Sequence, residues 1–229
     1  MPRELPIFPL PIVLFPGTPQ PLHVFEPRYR QLLADCLGGD RRFGVSYVAP
    51  TDEQEGEHEP HPGDIGCVAV IQSAQELPDG RSNILTEGER RFVLREWCAS
   101  DRPYRRARVE EFDDDPVDPA EAGALAAAVR ADFERLTAAL NTLTSRDFEE
   151  PAVLPADPTA LSFRVAGALE LEPAAKQALQ AGRSTTARLR QLAALLRPLA
   201  EDATRRAVVR ERAKRNGRGG AHAEIERAP

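Results

Sequence analysis

Four groups of side chains in this sequence are of types that do chemistry. "HEPHPG" sets His58 and His61 three apart beside Glu57 and Glu59, a donor set that could hold a divalent cation if a helix brought the imidazoles onto one face. Pro60 and Pro62 forbid that helix, and "TDEQEGEHEPHPGD" around them reads as a long, solvated acidic loop, so no metal is expected. Cys36, Cys67 and Cys98 could supply a nucleophile with His23 as base. Cys36 falls on the apolar face of a helix, however, Cys67 within the strand-like "DIGCVAV" and Cys98 beside Trp97, places where a thiol behaves as a small hydrophobe. No third group can be placed to orient the histidine, so no catalytic residue is assigned. In "ERRF" and "YRRARVE" arginines alternate with aromatics, a composition that could meet RNA. Outward strand positions carry arginine whatever the function, and acids are interspersed here.

The bulk properties narrow the choice. A chain of 229 residues, 41% hydrophobic, can bury one large core or two modest ones. Charged residues make up 29% and the net charge is −6, which disfavours a general nucleic-acid surface. Three cysteines without a CxxC suggest neither a disulfide framework nor a zinc knuckle, and fit a reducing cytoplasm. The apolar run "LPIFPLPIVLFPG" is interrupted by Pro6, Pro9 and Pro11 and no A-x-A-like site follows, so it does not read as a secretion signal. No stretch reaches the roughly 18 apolar residues of a membrane helix. A soluble cytoplasmic protein is expected.

The elements that would position these side chains divide by hydrophobic period. From Glu4 to Phe112 short apolar runs alternate with turn residues, giving candidate strands 4–8, 21–25, 42–48, 65–73, 81–87, 91–97 and 104–112. "LPDG" at 77–80 predicts a hairpin turn, with Gly80 taking the positive φ. One helix interrupts: Pro27 suits its first turn, Glu26 places a carboxylate at its N-terminus, Tyr29, Leu32, Leu33, Cys36 and Leu37 share a face, and Gly38-Gly39 ends it. Beyond the acidic stretch 110–121 the period becomes helical, with a stripe of Leu125, Val129, Phe133, Leu136, Leu140 and Leu143. Further helices are expected after Asp157-Pro158, from Pro173 to Gly182, and from an N-cap at Ser184, the last showing Leu189, Leu192, Leu196 and Leu199 and kinked or split at Pro198. The expected division is residues 1–116 as a β domain, 117–204 as a helical bundle and 205–229 as a frayed or disordered tail.

Taken in order, "LPIFPLPIVLFPGTPQPLHVFEPRYRQLL", "GDIGCVAVIQSAQELPDGRSNILTEGERRFVL", "YRRARVEEF" and "LSFRVAGALELEPAAKQALQAGRSTTARLRQLAALL" resemble the N-terminal substrate-binding domain of the Lon protease family, over residues 4–200. The resemblance implies an α+β fold, a PUA-like β pseudo-barrel plugged by one inserted helix and followed by an α-helical bundle. Full Lon proteases continue into ATPase and Ser-Lys peptidase modules. Here the only lysines, Lys176 in "EPAAKQAL" and Lys214 in "RERAKRNG", fit neither a P-loop nor a dyad. The expectation is a stand-alone, non-catalytic, cofactor-free module that binds unfolded or exposed polypeptide segments, with a protease or chaperone system as partner. The alternative is an RNA-binding PUA-like protein. The candidate contact residues are Phe15, Pro16, Leu22, Phe25, Tyr29 and Phe92, with Glu26 and Arg91, a possible ion pair, fixing their geometry. The prolines of 14–33 read as architectural, fixing the bends of the first strands and presenting a rigid apolar edge.

Overall fold

The computed structural model describes residues 3–49, 59–144 and 153–218, with side chains of the last helix to Ala213. Six strands and five helices follow one another: β1 (Arg3–Leu10), β2 (Pro19–Val24), α1 (Pro27–Leu37), β3 (Arg42–Tyr47), β4 (Ile65–Glu76), β5 (Ser82–Cys98), β6 (Arg106–Glu111), α2 (Pro119–Thr144), α3 (Pro158–Ala168), α4 (Pro173–Ala181) and α5 (Thr185–Arg218).

The strands form one mixed sheet in the order β2-β5-β4-β3-β1-β6, and a further β5–β6 pairing closes it into a pseudo-barrel. β1 lies parallel to β3, which requires the chain to cross over between them, and β2 and α1 make that crossing. The helix serves as the plug: Tyr29, Leu32, Leu33 and Cys36 are buried with Phe8, Leu14, Phe43, Ile71 and Ile84, whereas Leu37 stays exposed. The "LPDG" turn forms with Gly80 at φ 77°, the Leu77 N–H reaching the Arg81 carbonyl at 2.8 Å.

One division between strands differs from the sequence expectation. The runs 81–87 and 91–97 are a single strand, β5, whose first half pairs with β2 and whose second half pairs with β6. The pairing with β4 slips between Cys67 and Ala69, opposite Gly88–Arg91, and this bulge bends the strand around the barrel. Gly88 is required there because a Cβ would sit 2.1 Å from the Phe15 carbonyl oxygen.

In the helical half α2 packs along α5. Val129, Leu161, Val165, Leu189, Leu192 and Leu196 form the centre of a core that also takes in Phe15 from the barrel side. Ser184 caps α5, accepting from the Ala187 N–H at 3.2 Å. That helix differs from the sequence reading at three points. Of the kink or split expected at Pro198, the split does not occur. Its buried face runs Leu192, Leu196, Ala200, Ala203 and Ala207, leaving Leu199 exposed, and the unbroken packing of this face outweighs the one hydrogen bond that proline removes. It also continues to Arg218, through the first part of the segment read as a tail; residues 219–229 lie outside the described ones. In α2, Leu140 of the expected stripe is exposed as well.

Candidate functional site

A cleft of about 500 Å³ opens where the end of β1, the entry to α1, the end of β5 and the loop before β6 converge. Each wall follows from local sequence. "IFPLP" sends Phe8 inward and exposes the flanks of Pro9, Leu10 and Pro11. At the start of α1 the Glu26 carbonyl accepts from the N–H groups of Tyr29 and Arg30 at 3.0 and 2.9 Å, which fixes the first turn. This leaves Phe25 58% exposed just ahead of the helix. The Tyr29 ring lies on Phe8, with centroids 4.1 Å apart, and forms the floor. Trp97 and Tyr104 complete the opposite wall.

Charged groups at the rim are held flat against these rings. Arg28 lies over Tyr29 at 4.6 Å and pairs with Glu26, and Arg105 lies over Trp97 at 4.7 Å and pairs with Glu59 at 3.1 Å. The Tyr104 hydroxyl donates to Asp35 at 2.6 Å. Burial and then this carboxylate push the Tyr104 phenol up to about 12, while the same hydrogen bond holds the Asp35 carboxyl below its ordinary range. An apolar floor with self-paired charges at the rim can bind apolar side chains; the His23 imidazole at its edge is engaged by the Asn83 side chain.

The eight residues chosen from sequence separate into three sets. Phe25, Glu26 and Tyr29 line this cleft. Leu22 is half-buried against the plug core, and Pro16 bridges to Gly88. Phe15, Phe92 and Arg91 are buried. Phe15 belongs to the core shared with the bundle, and Phe92 fills the space over Gly44 and Gly66. The expected Glu26–Arg91 pair does not form. Glu26 takes Arg28, while Arg91 reaches the carbonyls of Gln180 and Gly182 at 2.6 and 2.7 Å and pairs with Asp114. Phe8, Trp97 and Tyr104 are not among the candidates, and Arg105 is one only for the RNA alternative. Their available signal was aromatic rings beside prolines, in "IFPLP" and "RPYRR".

Of the remaining chemical candidates His23 lines the cleft, and the others fall elsewhere. Cys36 and Cys67 are buried, and burial pushes the Cys36 thiol up to about 12 and the Cys67 thiol higher still, so both stay protonated. The His23 ring meets the Asn83 side-chain oxygen at 2.8 Å. His58 lies outside the described residues, and among the described residues no three His, Cys, Asp or Glu side chains converge. Lys176 is half-buried: its ammonium donates to the Gly167 carbonyl at 3.3 Å, near the C-terminal end of α3, and burial lowers its pKa. Of the arginines suggested for RNA, Arg91 is buried, and Arg105, Arg106 and Arg108 face Glu59, Glu4 and Glu96. Among the described residues no helix is long and apolar enough to cross a membrane.

Three similarities accompany this geometry. Lon protease 2 of Herpetosiphon aurantiacus is 28% identical over 194 residues, which is 84% of this chain and 23% of that protein. The Lon N-terminal domain protein of Xanthomonas campestris superposes with a TM-score of 0.58 at 27% identity, covering 84% of this chain and 98% of that one. The N-terminal domain of the Mycobacterium avium complex Lon protease gives a TM-score of 0.63 over 87% of this chain and 99% of that one, and its 19% identity carries the fold alone. The chain spans 14% to 24% of the length of the curated relatives it matches. Residues 4–197 match the model of the ATP-dependent protease La (LON) substrate-binding domain, and the chain belongs to that family.

Proposed function

We propose that this chain is a non-catalytic recognition module that engages exposed apolar segments of polypeptides in the cleft between β1, α1 and the end of β5. The observation that carries the proposal is the aromatic lining, with Phe25 exposed at the entrance and Phe8, Tyr29, Trp97 and Tyr104 around the floor. A large apolar side chain exposed next to a concave, ring-lined surface is what side-chain recognition requires. Membership of the substrate-binding domain family supports the same reading, with a protease system as the context in which the bound segment is used. The paired arginines favour polypeptide over RNA, because a phosphate would have to displace a carboxylate at each of them.

Trp97 is the single tryptophan and lines the cleft, so its fluorescence reports occupancy directly. Titration with a reduced, unfolded polypeptide is expected to shift that emission and to depend only weakly on salt, since apolar burial is not screened. Phe25→Ala should weaken the binding about tenfold, as expected for loss of an interface anchor. Salt-sensitive RNA binding with no response to polypeptide would overturn the proposal. So would hydrolysis of ATP or casein that survives repurification and is lost with Lys176→Ala.

A further inference from the structure

A polypeptide can join a β protein by adding a strand to an open edge or by lodging its side chains in a groove, and strand addition needs an edge that donates as well as accepts. Two edges lie near the cleft. In β1 the Ile7 N–H donates to the Arg105 carbonyl at 3.0 Å, while the Leu10 carbonyl accepts from the Val48 N–H at 3.0 Å. Successive residues of an extended strand aim their backbone groups to opposite sides. Phe8 and Leu10 therefore face β3, and Ile7 and Pro9 face the other way, where pairing with β6 ends at Pro6. Pro9 has no N–H to offer on that side, and neither does Pro11.

The edge of β2 is closed in the same manner. The Thr18 carbonyl accepts from the Gly88 N–H at 3.0 Å, so Gln20, Leu22 and Val24 face β5 and Pro19, Pro21 and His23 face outward. The two prolines donate nothing, and the Pro21 carbonyl is already taken by the Gln20 side-chain amide at 3.0 Å. Of these three outward positions His23 alone keeps an N–H, a single donor where a ladder needs a row, and the rest of what lies beside the cleft is ring surface. The rim charges cancel in pairs, Glu26 with Arg28 and Glu59 with Arg105, which suits an uncharged occupant.

We infer that the cleft holds an extended, uncharged polypeptide segment through its side chains without strand addition, and therefore accepts segments rich in proline as readily as segments without it. The inference rests on the cleft being the polypeptide site. Its physical basis is that proline removes only the backbone N–H, which these edges are not arranged to exploit, while its ring packs on aromatic walls as it does in other grooves that bind polyproline-type segments.

The test uses two short fluorescein-labelled peptides of leucine, phenylalanine and serine, the second with every other residue replaced by proline, titrated against the full chain and its Phe25→Ala variant by anisotropy. The expected result is dissociation constants within about threefold of each other, both weakened about tenfold by Phe25→Ala. Phe25-dependent binding of the first peptide, with the proline peptide weaker by about tenfold or more, would overturn the inference and leave the cleft assignment standing. Binding of neither peptide, or binding indifferent to Phe25→Ala while circular dichroism shows the variant folded, would overturn both.

Discussion

Arg91 of β5 and Arg188 of α5 grip the same carboxylate, one at each oxygen of Asp114. All three side chains are buried, and two guanidiniums against one carboxylate leave an excess positive charge. The C-terminal end of α4 offsets it. The Gln180 and Gly182 carbonyls accept from Arg91, Gly182 also accepts from Arg188 at 3.1 Å, and the Phe163 ring lies beside both guanidiniums at 5.0 and 3.9 Å. Barrel, linker and bundle are joined at this point.

Asp114→Asn keeps the shape and removes the charge, leaving two buried cations without their counter-ion. A loss of about 3–5 kcal/mol is expected, as for breaking other buried pairs from one side. Urea unfolding followed by Trp97 emission and by helical circular dichroism measures it; an unchanged midpoint would contradict this account of the seam.

Leu33 and Leu37 lie four residues apart on α1, yet only Leu33 is buried in the plug. Leu33→Asp is expected to cost roughly 3 kcal/mol or more, by burying an unpaired charge, and Leu37→Asp less than about 1 kcal/mol. Melting temperatures of the two variants separate a plug from a surface helix.

At Gly88 the obstacle to a side chain is backbone, 2.1 Å from the Phe15 oxygen and 2.8 Å from its carbon, and backbone cannot rotate aside. Gly88→Ala is expected to lose about 3 kcal/mol in denaturant unfolding. A wild-type midpoint would mean that β5 need not pass so close to Phe15.

Tyr104 sets a pH dependence. Its folded-state pKa is raised from 10.0 to about 12, chiefly by burial and then by Asp35. Its contribution to stability is therefore complete below pH 10 and is lost as the pH climbs toward about 12. Asp35 is shifted down, first by the Tyr104 hydrogen bond, so its contribution is present above its unfolded pKa of 3.8 and disappears as the pH falls through the lower folded value. Tyr104→Phe should flatten the alkaline decline in urea midpoint between pH 10 and 12 and weaken the acid one. An alkaline profile identical to wild type would show that the phenol is not the titrating group.

Local features of this chain could be read from its sequence because their causes are local. Proline sets φ at the entry of α1, Gly80 takes the positive φ of the 77–80 turn, and the change from period two to helical period after the acidic stretch marks where strands give way to helices. Periodicity says which side chains share a face, not how far cover extends over that face; Leu37, Leu140 and Leu199 lie on apolar stripes and are exposed. Nor does it report what crosses between distant segments. Phe15, Phe92 and Arg91 have the composition of a binding edge, and they are buried because β2 and β6 close over β5 and because α4 and Asp114 arrive from far along the chain. The cleft is likewise assembled from Phe8, Phe25, Tyr29, Trp97 and Tyr104, which become neighbours only when a bulged β5 closes the barrel. Partner choice over such separations is decided by packing and by the need to compensate buried charge, and both exist only once the tertiary structure has formed.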